Sequence, residues 1–227
     1  MMKLRCVVAF AVMMTGGALA QAPAAHLAGV LSQMDAASAK FQSAEADFQW
    51  DFYERVTRST STQAGTIFFQ KQKSTTEMGA KMTTPGLKFL SFKENGLQIY
   101  DPGPNTLLKI STAKNGAQVE SFLTLGFGGS GRDLEKAWTI KDLGAETVDG
   151  VSTAKLDLVS KDQNVQNMFS HVTVWIDLAR DISLRQEFFT PSDDKRTAIY
   201  KNIRYNGKVD KKPYEIKTNS KTSVSNR

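Results

Sequence analysis

Two histidines, one cysteine and a scatter of carboxylates are the side chains here with the types needed for proton transfer, nucleophilic attack or metal binding. Their spacing suits none of these. His26 lies near the N-terminus and His171 just before a predicted strand, and neither belongs to a G-x-S-x-G elbow, a His-Glu-x-x-His helix or a Cys/His cluster. Both read as surface or internally paired histidines, and no metal or cofactor is expected. The acidic pairs Asp157 with Asp162 and Asp193 with Asp194 fall in turns and on strand faces, where solvation accounts for them. Hydrolysis would require a carboxylate pair assembled by the fold. Gly126, Gly128 and Gly131 satisfy G-x-G-x-x-G, but that fingerprint needs a parallel βαβ unit, and the surrounding pattern is antiparallel. A flexible hinge or lid connection through Gly126, Gly128, Gly129 and Gly131 is the expectation instead.

Aromatic residues form the stronger pattern. Phe48, Trp50, Phe52 and Val56 are read as pointing one way and Asp47, Gln49, Asp51, Tyr53 and Arg55 the other, so one face of a strand is aromatic and the other wet. Ile67 and Phe69 continue that surface on the next strand, and Phe89, Leu97 and Ile99 on later ones, with Val174 and Ile176 near the C-terminus. Core packing explains part of this surface. The remainder is expected to line an apolar cavity, since rigid rings contact acyl chains without demanding one chain conformation.

The positioning elements follow from periodicity and turn chemistry. Leu87 to Ile110 reads as a meander of three short strands, broken at Glu94-Asn95-Gly96 and at Asp101-Pro102-Gly103-Pro104-Asn105. Its runs are apolar on both faces and need cover on both. Leu27, Val30, Leu31, Met34, Ala37 and Phe41 fall at helical spacing, which predicts an amphipathic helix with Leu31, Met34 and Phe41 facing the sheet. Arg58 to Gln63 is predicted as a turn, 117–125 and 133–138 as short helices, and Tyr214–Lys217 as the last of several late strands. The resulting class is α+β: a large curved antiparallel sheet, an unclosed β-barrel, with a long N-terminal helix and short lid helices on its concave face.

The N-terminus carries Lys3 and Arg5, an apolar run from Val7 to Met14, and Ala18-Leu19-Ala20, in the order of a secretory signal peptide. Residues 1–20 are thus expected to be removed, and Cys6 with them, leaving one domain over 21–217 and a loose polar tail over 218–227. The formal charge of +6 is spread without a dense basic block, so nucleic acid is not an expected partner. The product is expected to be a soluble monomer in the periplasm.

The order of helix, hairpin, SFKENGLQIYDPGPN, glycine-interrupted patch and late strands VTVWIDLARDISLRQEFF and TAIYKNIRYNGKVD resembles the LolA-like periplasmic carriers of the lipoprotein-sorting group. The most specific pieces are Asn95-Gly96-Leu97-Gln98-Ile99-Tyr100-Asp101-Pro102 and Val172–Asp177. The resemblance implies an apolar cavity that shields acyl chains of lipoproteins or related lipids, without catalysis, between an inner-membrane donor complex and an outer-membrane acceptor. In that family an arginine of a Lys-Arg-Pro segment bonds the lid helices. Here Lys71-Gln72-Lys73-Ser74-Thr75 occupies the place, and Lys73 lacks the planar fork of a guanidinium. Two other readings stay open: an envelope lipid sensor acting through a protein partner, and a hydrolase marked by a strongly perturbed acid inside the cleft.

Overall fold

The computed structural model describes residues 23–73, 75–93, 96–111 and 124–226. The expected signal peptide, the Glu94-Asn95 corner and nearly all of the expected 117–125 helix lie outside the described residues. Helix α1 (Pro23–Ser38) leads into β1 (Ser43–Glu54), β2 (Ser59–Gln72), β3 (Thr75–Thr84), β4 (Lys88–Lys93), β5 (Gly96–Asp101) and β6 (Thr106–Ser111). After α2 (Gly131–Ala137) come β7 (Trp138–Val148), β8 (Val151–Ser160), α3 (Gln163–Met168), β9 (His171–Asp177), β10 (Ile182–Phe189) and β11 (Lys195–Tyr205). A 3-10 turn (Lys212–Tyr214) and β12 (Ser223–Asn226) end the chain.

These strands form one sheet in the order β12-β6-β5-β4-β3-β2-β1-β11-β10-β9-β8-β7. Its end strands are not paired with each other, so the barrel is unclosed. Strand β1 sits mid-sheet, joining the N-terminal meander to the C-terminal one through its pairing with β11. All neighbours are antiparallel except β12, which runs parallel to β6. The tail, predicted to be loose, therefore adds four residues to the sheet edge by backbone pairing, while their side chains stay exposed.

Local differences from the sequence reading have identifiable causes. The first turn is at 55–58, where Arg58 takes φ +52°, and Val56 is 85% exposed rather than part of the aromatic face. Ser59–Gln63 are strand, because β-branched threonines suit a long twisted hairpin and pair residue for residue with Trp50–Glu54. Strand β3 has few large apolar residues, yet Met78, Ala80 and Met82 point inward from it. Pro213 starts a 3-10 turn where a strand was expected, and buries Tyr214 against Phe68 at 4.9 Å. Helix α1 stops at Ser38, short of Phe41. The Asn206 side chain donates to Lys40 O and accepts from the amides of Gln42 and Ser43, fixing the chain as it turns into β1.

Burial divides the interior in two. Val30 and Met34 of α1 pack with Leu134, Trp138, Leu156, Leu158, Val172, Val174 and Ile176 over the β7–β9 half of the sheet. A second cluster gathers Phe41, Phe48, Ile67, Phe69, Met78, Phe92, Phe127, Ile182 and Tyr200 around β1–β4 and β10–β11. Among the described residues no helix is long and apolar enough to cross a membrane.

Candidate functional site

The register across mid-sheet builds the site. Phe52, Arg196 and Phe188 lie in one row across β1, β11 and β10, and Trp50, Ala198 and Gln186 form the next row inward. Alternation places all six on the concave face. With Ile67, Phe69, Met78 and Leu90 from the meander and Phe169 from the end of α3, they line a pocket of about 720 Å³ counted out to its open mouth.

Few polar groups reach its interior, and they are satisfied by each other. Tyr200 OH donates to Gln186 Oε1 at 3.3 Å, and Gln186 Nε2 donates to Leu125 O at 2.5 Å. Burial holds the Tyr200 phenol far above its ordinary range, so it is neutral and acts as a donor. The walls are apolar because the polar atoms at the floor are spent on one another and on the segment that crosses above them.

That segment is the glycine-rich stretch, which is clasped against the β9–β10 turn by backbone hydrogen bonds. Gly126 O accepts from Ser183 N and Gly128 N donates to Asp181 O, so Phe127 bridges Ile182 as a one-residue strand. Its ring stacks on Phe69 at 3.8 Å and meets Tyr200 edge-on at 4.9 Å, backing two residues that line the pocket. Gly126 and Gly128 have φ +73° and +78°, and a Cβ on Gly128 would sit 2.3 Å from the Phe41 ring. A Cβ on Gly131 would sit 2.3 Å from Leu31 O, whereas Gly129 has open space.

Of the residues predicted to line the cavity, Trp50, Phe52, Ile67 and Phe69 do so. Phe48 lies beneath them, 4.5 Å from Trp50 ring to ring, and Phe41 and Leu97 belong to the same cluster. Leu31, Met34, Val174 and Ile176 are instead the packing under α1. Ile99 is half-buried beside Leu90 on the neighbouring strand. Phe89 pairs with Tyr100 in the row that alternates with Leu90 and so faces the opposite side of the sheet. Lys73 is an exposed turn residue at φ +52°. The lysine that reaches the helices is Lys71, whose Nζ donates to Ser38 O at the end of α1, at 3.2 Å. Phe127, Phe169, Gln186 and Arg196 were not foreseen. Phe127 had one visible signal, a large ring flanked by two glycines.

The histidines and acidic residues singled out in the sequence lie outside the pocket lining. His171 Nδ1 contacts Asp157 at 2.6 Å and its ring stacks on Phe189, and His26 contacts Asp142. Asp162 caps α3, and Asp194 accepts from Arg55 N and Ser192 Oγ. The strongly perturbed acid is Asp181, fully buried in the β9–β10 turn with no hydrogen bond to either carboxylate oxygen among the described residues. Burial first, then the Asp35 charge, pushes it up to about 8, against a partial offset from Lys71. It lies under the glycine clasp, outside the pocket lining. Among the described residues no group of three or more His, Cys, Asp or Glu could hold a metal ion.

No family model and no curated protein matches the chain. Solved structures do. An uncharacterized conserved protein from Thermus thermophilus aligns at a TM-score of 0.56 and 11% identity, over 89% of this chain and 99% of that one. MucB of Pseudomonas aeruginosa, in its structure with MucA, aligns at 0.51 and 12%, over 85% of this chain and 62% of that one. A putative outer membrane lipoprotein-sorting protein domain from Vibrio parahaemolyticus aligns at 0.45 and 12%, over 83% and 97%. The chain shares the fold of the Thermus protein and of MucB. At these identities the likeness is one of fold alone, and this chain spans under two thirds of MucB.

Proposed function

We propose that the concave pocket receives an acyl chain and that the protein is a periplasmic carrier of lipid-modified cargo, lipoproteins or related lipids. The observation that carries this reading is an open apolar pocket, walled by Trp50, Phe52, Ile67, Phe69, Met78 and Leu90, whose deep polar side chains Tyr200 and Gln186 are already hydrogen-bonded within the protein. Nothing in its interior asks for a polar ligand. Burial of one methylene is worth about 0.8 kcal/mol, so exposing a chain of roughly sixteen carbons costs on the order of 13 kcal/mol. Free diffusion across an aqueous compartment is negligible without such a shield, and the carrier offsets much of the cost by contact with its walls. A membrane-embedded donor and an outer-membrane acceptor complete the transfer. No catalytic step is assigned.

The test is to purify the protein from its native envelope and identify co-purifying lipid by mass spectrometry, alongside uptake of a fluorescent acyl probe. A triacylated peptide names lipoprotein as the cargo. Trp50→Glu places an unpaired charge among the walls and should abolish probe uptake while melting near wild type, since Trp50 is half-buried at the pocket and not in the deep core. Normal uptake by Trp50→Glu would remove this face as the lipid site. A second reading, a sensor that holds a protein partner, is favoured by the complex of MucB with MucA. Capture of a specific envelope protein together with an empty pocket would support it.

A further inference from the structure

Resting on the acyl-chain reading, we infer that Arg196 makes the pocket selective for chains that end in an anionic head group, a carboxylate or a phosphate. Arg196 shares the outermost concave row with Phe52 and Phe188, so its side chain stands at the mouth rather than on the outer face. Its guanidinium carbon lies 5.2 Å from the Phe52 ring centre and 5.3 Å from that of Phe169, at contact range for cation–π attraction to both. The two rings hold the cation in place at the junction of apolar wall and solvent. They do not neutralise it.

Nearby carboxylates are committed elsewhere. Glu187, the neighbour on the opposite face, pairs with Arg185 and Lys195. Asp194 is held by Arg55 N and Ser192 Oγ and feels the Arg196 charge only at longer range, without an ion pair among the described residues. Arg196 itself makes no ion pair among the described residues, unlike Arg132, Arg180, Arg185 and Arg204. The mouth thus carries a positioned, unspent guanidinium, the planar donor suited to carboxylate or phosphate. Deeper in, Tyr200 and Gln186 are bonded to each other, so a charged head has no berth at the floor. A ligand can satisfy both ends by entering chain first and leaving its anion at Arg196.

The experiment uses the full mature chain loaded with a neutral apolar dye, N-phenylnaphthylamine, displaced by palmitate, lysophosphatidylglycerol or hexadecanol below the concentrations at which each aggregates. Wild type should release the dye to the two anions at about five- to tenfold lower concentration than to hexadecanol. Arg196→Gln should erase that preference, bringing the two anions to the level of hexadecanol in the same variant, and Arg196→Lys should restore part of it. Added salt should weaken the anions alone. Equal displacement by all three ligands in wild type, or an undiminished preference in Arg196→Gln, overturns the selectivity while dye binding still supports the carrier. Failure of any chain or dye to bind overturns both readings. A preference between palmitate and lysophosphatidylglycerol assigns the anion to a free fatty acid or to a phospholipid.

Discussion

The two halves of the concave face are built from the same kind of strand and finished in opposite ways. Over β7–β9 the sheet is covered by α1 and α2, and Val174 and Ile176 are fully buried beneath Met34 and Leu134. Over β1–β4, beyond the end of α1 at Ser38, a comparable apolar surface is left with Trp50 and Phe52 half-exposed. Phe127 and Phe41 stand at the boundary. A sheet face that the chain covers with its own helices contributes stability. The same face left uncovered becomes a place for a ligand that resembles those helices in being greasy.

The sharpest way to break this comparison is to put the same charge into each half. Val174→Asp buries an unpaired carboxylate in the covered half, and the expected loss is about 4 kcal/mol or more, read as failure to fold or a collapsed melting temperature. Trp50→Glu should keep the fold and lose the probe. Equal melts for the two would mean that the halves do not differ in role. Next in size is the boundary. Phe127→Ala removes a ring stacked on Phe69 and should cost about 3 kcal/mol in a chemical melt. The space it vacates adjoins the pocket, so the surviving folded protein should take bulkier acyl probes.

Asp181 tests the clasp that joins the halves. Its carboxyl is raised above the ordinary value, so the folded state holds a proton that the unfolded state gives up between about pH 4 and about 8. Stability from this group is complete below about pH 4 and falls as pH rises through about 8. Asp181→Asn keeps a residue that tolerates its φ of +53° and removes the ionisation. The variant should match wild type near pH 4 and exceed it by a few kcal/mol above pH 8, read from urea midpoints at both pH values. Parallel pH profiles for the two proteins would show that the carboxyl is not desolvated.

The sequence made one half of this comparison legible. Strict alternation in β1 placed Trp50 and Phe52 on one face, and Ile67 and Phe69 followed from the same alternation on the neighbouring strand β2, where they pair with Ala46 and Ala44. Where both faces of a strand are apolar, alternation cannot say which points inward, so Phe89 was put in the cavity although Leu90 is the residue that lines it. Val174 and Ile176 sit in a strand buried on both sides, and the pattern could not separate a lined cavity from a filled core. Arg196 is a surface-type residue in sequence. Its meaning comes from Phe52 and Phe169, over a hundred positions and twenty-seven positions away, and no local pattern links them. The glycines read as flexibility because composition reports what a backbone is allowed to do, while packing against Phe41, Ser183 and Leu31 decides what it does.

The smallest expected effect concerns the contact between β2 and the helical cover. The family resemblance pointed to Lys73 as the lid residue, and the geometry points two residues earlier. Lys71 Nζ donates to Ser38 O, a last-turn carbonyl of α1 that also accepts from Phe41 N at 3.2 Å, where a cation meets the negative end of the helix dipole. Such a contact at a largely exposed site is worth about 0.3–1 kcal/mol. Lys71→Met keeps most of the alkyl stem, and so isolates the charge and its hydrogen bond. It should lower stability by that amount near pH 7 and also steepen the loss above it, because Lys71 is the group that partly offsets the raised Asp181. Lys73→Met, in an exposed turn, should stay within about 0.5 kcal/mol of wild type at every pH. The measurement is a pair of urea titrations at two pH values for each variant. If Lys73→Met is the more destabilised of the two, the cover is tied to β2 at the family position after all, and the covered half owes less to the end of α1 than its geometry implies.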